Sequence, residues 1–235
     1  MTSLADQDLD QLGGRLSILT RQKRDHERLD RLLRRLAHSS PGPEEEATLR
    51  AIARLVFPHA FAEESVIWPE ARRVLAHGEQ LTLQVAQEHQ EVNELWTSLE
   101  RLPVGSSERA STMARMTEVL RQDVRDEEDD LLPRLQDAVD GRRLKTLGIA
   151  WEAVRRTAPT RPHPVVSRRP PGNALAALPL TVLDRGRDAL ESVGRRFPRL
   201  RAATSRASDH VATVAGRVEH AGPLRRGEDA STHRD

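Results

Sequence analysis

Apolar residues recur every three or four positions through the first two thirds of the chain, the spacing of one face of an α-helix. Leu12, Leu16, Leu19, His26, Leu29, Leu33 and Leu36 form the first stripe, and Ser39-Ser40-Pro41-Gly42-Pro43 ends it. Glu44, Glu45 and Glu46 suit the first turn of a second helix, where negative charge meets the positive end of the helix dipole. Its stripe is Leu49, Ile52, Val56, His59, Glu63 and Val66; Pro69 is expected to kink or end it, and His77-Gly78 to close it. A third stripe runs through Leu81, Val85, His89, Val92, Trp96 and Leu99, with a turn at Pro103–Ser107. The fourth is Met113, Met116, Leu120, Asp123, Glu127 and Leu131, with Pro133 after it. A fifth helix is expected from Arg142 to Arg156. Helices of about 25–30 residues joined by short turns predict an all-α fold, an up-down antiparallel four-helix bundle.

Composition then shifts. Pro159, Pro162, Pro164, Pro170 and Pro171 fall close together and predict an extended linker. Beyond it, Leu180, Leu183, Leu190, Val193 and Phe197 make a short amphipathic stripe, and Val211, Val214 and Val218 a weaker one. The expected division is a bundle over 1–156, a Pro-rich linker over 157–179 and a basic, partly helical tail over 180–235 whose last dozen residues are disordered. The net charge of +1 conceals this division: residues 1–154 carry 21 Lys/Arg against 28 Asp/Glu, and residues 155–235 carry 16 Arg against 8 Asp/Glu.

The four stripes are two copies of one unit. A shift of 64 carries Glu63-Glu64 to Glu127-Glu128, Pro69 to Pro133, Leu49 to Met113, Ile52 to Met116 and Val56 to Leu120. A shift of 63 carries His26 to His89, Leu29 to Val92, Leu33 to Trp96 and Leu36 to Leu99. A duplicated helical hairpin gives a bundle with approximate two-fold symmetry, in which equivalent positions face each other.

The apolar stripes are interrupted at matching places, by His26, His59 with Glu63, His89, and Asp123 with Glu127. Residues four apart are neighbours on a helix, so each pair converges on one point. A lone histidine on an apolar face is usually a hydrogen-bonded core residue, and acidic runs are usually solvated. Neither accounts for one interruption recurring in all four stripes. Polar groups aimed at a core need partners, and a metal supplies one for all six. Three imidazoles and three carboxylates, with no Cys anywhere in the chain, suit iron or manganese, with zinc as another option. Two divalent ions bridged by Glu63 and Glu127 would use all six ligands and leave little net charge. The missing cysteines exclude thiolate sites, disulfides and Cys nucleophiles.

This arrangement resembles the hemerythrin-like cation-binding family, also called the His-His-Glu family. The likeness rests on Asp25-His26-Glu27, on His59-Ala60-Phe61-Ala62-Glu63-Glu64 with Pro69, on Glu88-His89-Gln90-Glu91, and on Glu127-Glu128 with Pro133, and it covers about residues 6–155. The segment from Pro159 to Pro164, followed by Pro170-Pro171-Gly172-Asn173, also looks like extensions of actinobacterial members. The resemblance implies a non-haem di-iron centre, with His26, His59 and Glu63 serving one half and His89 and Glu127 the other. Asp123 stands where the repeat and the family place His, and Asn93 where hemerythrin has a second His on that helix. An added carboxylate favours ferric iron and lowers its potential, and it is also compatible with manganese, a weak second site or mononuclear iron.

The expected function is binding or sensing of a small oxidant: dioxygen, nitric oxide or peroxide. The alternatives are an oxidoreductase that decomposes peroxide or nitric oxide, and an iron-storage or structural bundle. The basic tail is expected to dock on the acidic bundle, with a protein partner or a membrane surface as other occupants and no nucleic acid. Residues 1–14 lack the apolar stretch of a secretory signal, and the longest uncharged run, residues 170–183, is too short to span a bilayer, so the expected location is cytoplasmic.

Overall fold

The structure is a computed structural model that describes residues 1–169 and 171–232, and every regular element among them is helical. Helix α1, Ile18–Ala37, is capped by Ser17, whose hydroxyl accepts the Leu19 N–H at 3.3 Å. It does not reach back to Leu12, as the stripe predicts. Gly13 and Gly14 sit at φ of 85° and 84°, a left-handed backbone that no α-helix can carry. Leu12 is nonetheless buried in the preceding turn, whereas Leu16 is half-exposed.

Helix α2, Pro43–Ala62, continues through a π-helical turn, Glu63–Ile67, into α3, Trp68–Val74. Helix α4 is Gly78–Leu99. Helix α5, Ser107–Asp126, likewise passes through a π-helical turn, Glu127–Leu131, into α6, Leu132–Ala138. Helix α7, Gly141–Thr157, fulfils the expected fifth helix; Asp140 caps it by accepting the Arg143 N–H at 2.7 Å. Pro69 and Pro133 therefore do not end their rods. In an α-helix each ring would press on the carbonyl four residues back. The π-helical turn widens that spacing, and the N–H groups of Trp68 and Leu132 bond to the carbonyls of Glu63 and Glu127. Such turns concentrate at functional sites. Both begin on an expected metal ligand.

Two apolar clusters hold these helices together. One is built around Ile18, Leu19, Ile67, Trp68, Leu131 and Trp151, the other around Leu33, Ile52, Trp96, Met116 and Leu120. The order in which the chain visits them alternates. Helix α1 runs from the first cluster to the second, and α2 with α3 runs back; α4 goes out again, and α5 with α6 returns. Helix α7 closes the first cluster through Leu144, Leu147 and Trp151. It lies so close to the start of α1 that a Cβ at Gly148 would strike the Leu16 carbonyl.

The C-terminal region departs from expectation. Helix α8, Gly172–Arg196, begins inside the segment expected to be linker, and packs on α9, Arg201–Glu219. Val166, Ala176, Leu180, Ala215 and Leu224 form a third, small apolar cluster. The 180–197 segment docks on the bundle in part: Leu180 is buried, Asp188 pairs with Arg54 at 3.7 Å and Arg185 donates to the Arg156 carbonyl at 2.6 Å, whereas Val193 and Phe197 are exposed. The strap over 158–169, a run of bends with a turn at 164–165, adds further contacts. The end of the chain is also ordered as far as it is described: the Ser167 N–H donates to the Leu224 carbonyl at 3.0 Å, the Gly172 N–H to that of Arg226 at 3.2 Å, and Thr232 is buried. The remaining end of the segment expected to be disordered, His233 included, lies outside the described residues, as does Pro170. None of the described helices is long and apolar enough to cross a membrane.

Candidate metal centre

A buried polar layer separates the two bundle clusters. Helix periodicity places one turn of each long helix at that level, and the stripe there turns from apolar to ionisable. Helix α1 supplies Asp25 and His26, α2 His59, and the first π-helical turn Glu63 and Glu64. Helix α4 supplies His89, α5 Asp123, and the second π-helical turn Glu127 and Glu128. The structure brings all six sequence-predicted residues together. Donor atoms of His26, His59, Glu63 and Glu127 converge on one point, and those of His89, Asp123 and Glu127 on another. All six are buried.

The histidines share one orientation. His26 Nδ1 donates to Glu128 Oε1 at 2.8 Å, and His89 Nδ1 donates to Glu64 Oε1 at 2.9 Å. His59 Nδ1 faces Asp25 Oδ2 at 3.5 Å. Each Nε2 is thereby turned inward. A carboxylate behind an imidazole fixes its tautomer and strengthens its inner nitrogen as a metal donor. The first two pairs are repeat-related: each π-helical turn presents its first Glu to the centre and its second to a histidine of the other half.

The carboxylates span the centre. Glu63 places Oε1 at 2.8 Å from His59 Nε2 and Oε2 at 3.6 Å from His89 Nε2. Glu127 places Oε2 at 3.1 Å from His26 Nε2 and Oε1 at 3.9 Å from His89 Nε2. All four of these oxygens, and Oδ1 of Asp123, are buried without a hydrogen-bond partner. Three buried carboxylates crowded together and faced only by imidazole nitrogens are costly unless positive charge joins them, so this donor set fits a cation.

Electrostatics among the protein groups say the same. Burial alone would lower the His26 pKa, but the Glu127 and Glu128 carboxylates raise it well above the ordinary value. His59 rises to about 9 against its burial, through Glu63 and Asp25. His89 is raised well above the ordinary value, through Asp123 and Glu64. Burial, then the charges of Glu63 and Asp123, push Glu127 up to about 8. Without a cation, protons balance the crowded carboxylates.

Against the centre lies a small cavity walled by Leu55, Val56, Phe57, Val92 and Leu120 and floored by His59, His89 and Asp123. Asn93 also borders it, but its amide is engaged elsewhere: Nδ2 donates to the His89 carbonyl at 2.8 Å, and Oδ1 accepts the His163 N–H at 3.2 Å.

A family model described as the hemerythrin HHE cation-binding domain matches residues 17–135, half of the chain. The chain belongs to this hemerythrin family. The match covers α1 to α6 up to residue 135, and therefore every residue of the polar layer. No curated protein and no solved structure matches the chain. Domains of the hemerythrin HHE type bind metal cations, and the buried His and Glu groups here fit such a site. In this hemerythrin-type centre sequence reasoning leaves several neighbours unassigned. Asp25 behind His59 was adjacent to a recognised histidine, and the four-residue arithmetic overlooked it. The rings of Trp151, 5.2 Å from His59, and Trp68, 6.3 Å from His89, belong to none of the stripes read from the sequence. Arg168, which reaches Glu64 from the strap, carried no local signal.

Proposed function

We propose that the chain is a non-haem iron protein whose centre, in an up-down four-helix bundle, holds two metal ions and binds or senses a small oxidant. The alternating passage of the helices through the two clusters supports the bundle topology. The observation that carries the metal reading is the pair of buried carboxylates, Glu63 and Glu127, each with one unpartnered oxygen towards either side of the centre. In this reading both bridge. His26 and His59 hold the first ion, and His89 and Asp123 the second. Iron held there by these residues would supply redox chemistry and the capacity to bind a small ligand. The protein's part is to hold the imidazoles by their outer nitrogens and to keep the site dry. The apolar cavity above His59 and His89 suits a small uncharged molecule such as dioxygen, nitric oxide or peroxide. Manganese is compatible with the same donors.

Elemental analysis with an optical spectrum of the air-exposed protein tests this. Two irons per chain and near-ultraviolet bands of an oxo bridge are expected. Glu63→Ala and Glu127→Ala should lower metal content most, and unchanged content in both would remove the bridging assignment. Turnover of peroxide or nitric oxide by the iron-loaded protein would move the assignment from sensor to oxidoreductase.

A further inference from the structure

The two outer glutamates are equivalent in the repeat but not in their surroundings. Glu128 accepts the Nδ1–H of His26 and opens on a groove lined by Lys23, Glu27, Arg121 and Arg125; among the described residues no guanidinium bonds to it. Glu64 accepts the Nδ1–H of His89 and also a hydrogen bond from Arg168 Nη1 at 3.0 Å, from a residue 104 positions away. Arg168 is 8% exposed, which is unusual for a full charge. Its Nε and Nη2 both donate to Gln90 Oε1, at 3.1 and 2.6 Å. Among the described residues, Glu64 is the one carboxylate its side chain bonds. The strap fixes the arginine in place: the His163 N–H donates to Asn93, the Pro164 carbonyl accepts from Gln90 Nε2 at 3.2 Å, and the Arg168 N–H donates to Glu228.

We infer that Arg168 is a positioning residue for the metal centre, acting through Glu64 on His89, so that the C-terminal strap tunes one half of the centre and not the other. This rests on the metal reading above. A carboxylate shared with a guanidinium pulls less on the Nδ1–H of its histidine, so the inner nitrogen becomes a weaker donor. The fork also pins Glu64 as a hydrogen-bond acceptor behind His89 and keeps it from swinging inward. The His26 half, with Glu128 unencumbered, keeps the stronger donor. The strap thus adds a second asymmetry on the side where Asp123 replaces the expected histidine.

The test uses the full chain loaded with ferrous iron, in Arg168→Met, Arg168→Lys and Arg169→Ser. Arg169 lies on the same strap but pairs with Glu79 and Asp229, away from the centre. Iron content, midpoint potential and optical spectrum are measured for each. Arg168→Met should retain iron while the ferric over ferrous affinity ratio rises about tenfold, a fall of about 59 mV for a one-electron couple. Arg168→Lys, which keeps the charge and loses the fork, should fall between, and Arg169→Ser should match the parent. Equal shifts in Arg168→Met and Arg169→Ser would assign the effect to strap docking and overturn the inference, as would no shift in Arg168→Met. Should Arg168→Met not fold, an unshifted potential in Arg168→Lys overturns it. A parent chain that binds no iron would overturn the metal reading itself, a result distinct from iron binding with unshifted variants.

Discussion

Glu128 stands behind His26 as Glu64 stands behind His89, each carboxylate accepting an Nδ1–H from the opposite half of the repeat, at 2.8 and 2.9 Å. The π-helical turns make this possible. Consecutive glutamates in one turn serve different tasks, the first facing the centre and the second a histidine. Outer carboxylates of this kind typically change metal affinity by about 10–100-fold when removed. Glu128→Ala should therefore weaken metal binding by about 10-fold or more while the helical content stays at the parent level. Titration with cobalt(II), followed by its visible bands, measures the first, and circular dichroism the second. Parental affinity would mean that the pair only fills space.

Asp123→His restores the residue that the repeat predicts. Asp123 Oδ1 lies 3.4 Å from His89 Nε2 with no hydrogen bond of its own. Its charge also reaches Glu88, which burial, Asp126 and Asp123 together hold up at about 9. In the other half the equivalent positions are Asp25 and His59, an acid facing a base. The substitution replaces an anionic donor with a neutral one. The midpoint potential of bound iron should rise, and Glu88 should titrate closer to an ordinary carboxyl. Potentiometric titration settles the first point: a potential that falls or stays fixed would count against Asp123 as a ligand.

Trp151 joins the metal centre to the core. It is fully buried in the first apolar cluster, its ring stands edge-on to His59 at 5.2 Å, and the Arg155 guanidinium lies 5.2 Å from its centroid. Trp151→Ala should cost about 3–5 kcal/mol of unfolding free energy, the usual range for a large aromatic removed from a core. It should also loosen His59, so metal affinity should fall with stability. Trp151→Phe keeps most of the packing and should recover most of both. Chemical denaturation of the metal-free chain isolates the packing cost, and the cobalt titration the effect on the site.

Much of the centre was legible because the chain states it twice. Two copies offset by about 64 residues turn an ambiguous buried histidine into a pattern, and all six expected residues meet in space. What stayed hidden depends on geometry that periodicity does not encode. The stripe from Leu12 ignored Gly13 and Gly14, whose left-handed backbone delays α1 to Ile18. The prolines at 69 and 133 were visible, but the π-helical turns before them are a steric accommodation that no hydrophobic period predicts. A Pro-rich composition says extended, whereas residues 158–169 are a run of bends with a turn at 164–165, and composition does not say what such a strap lies on. The contact from Arg168 to Glu64 spans 104 residues and depends on tertiary placement alone.

The raised histidines make stability and metal binding respond oppositely to pH. His59 and His163 have ordinary values of 6.5 and rise to about 9 in the folded chain, the latter against its burial, through Asp184 and Glu219 at 3.2 and 3.3 Å. A group raised on folding contributes fully below its unfolded value and loses that contribution as pH climbs through the folded one. Glu127 acts in the same direction, because the fold favours its protonated form between 4.5 and about 8. The metal-free chain should therefore become less stable from pH 6.5 to pH 9. Metal ligation needs the inner nitrogens unprotonated and releases their protons, so apparent affinity should rise over the same interval. The gap in Tm between loaded and chelator-stripped protein should widen steadily from pH 6.5 to 9. A gap that is constant or narrows would show that the histidines are not the groups a metal displaces protons from.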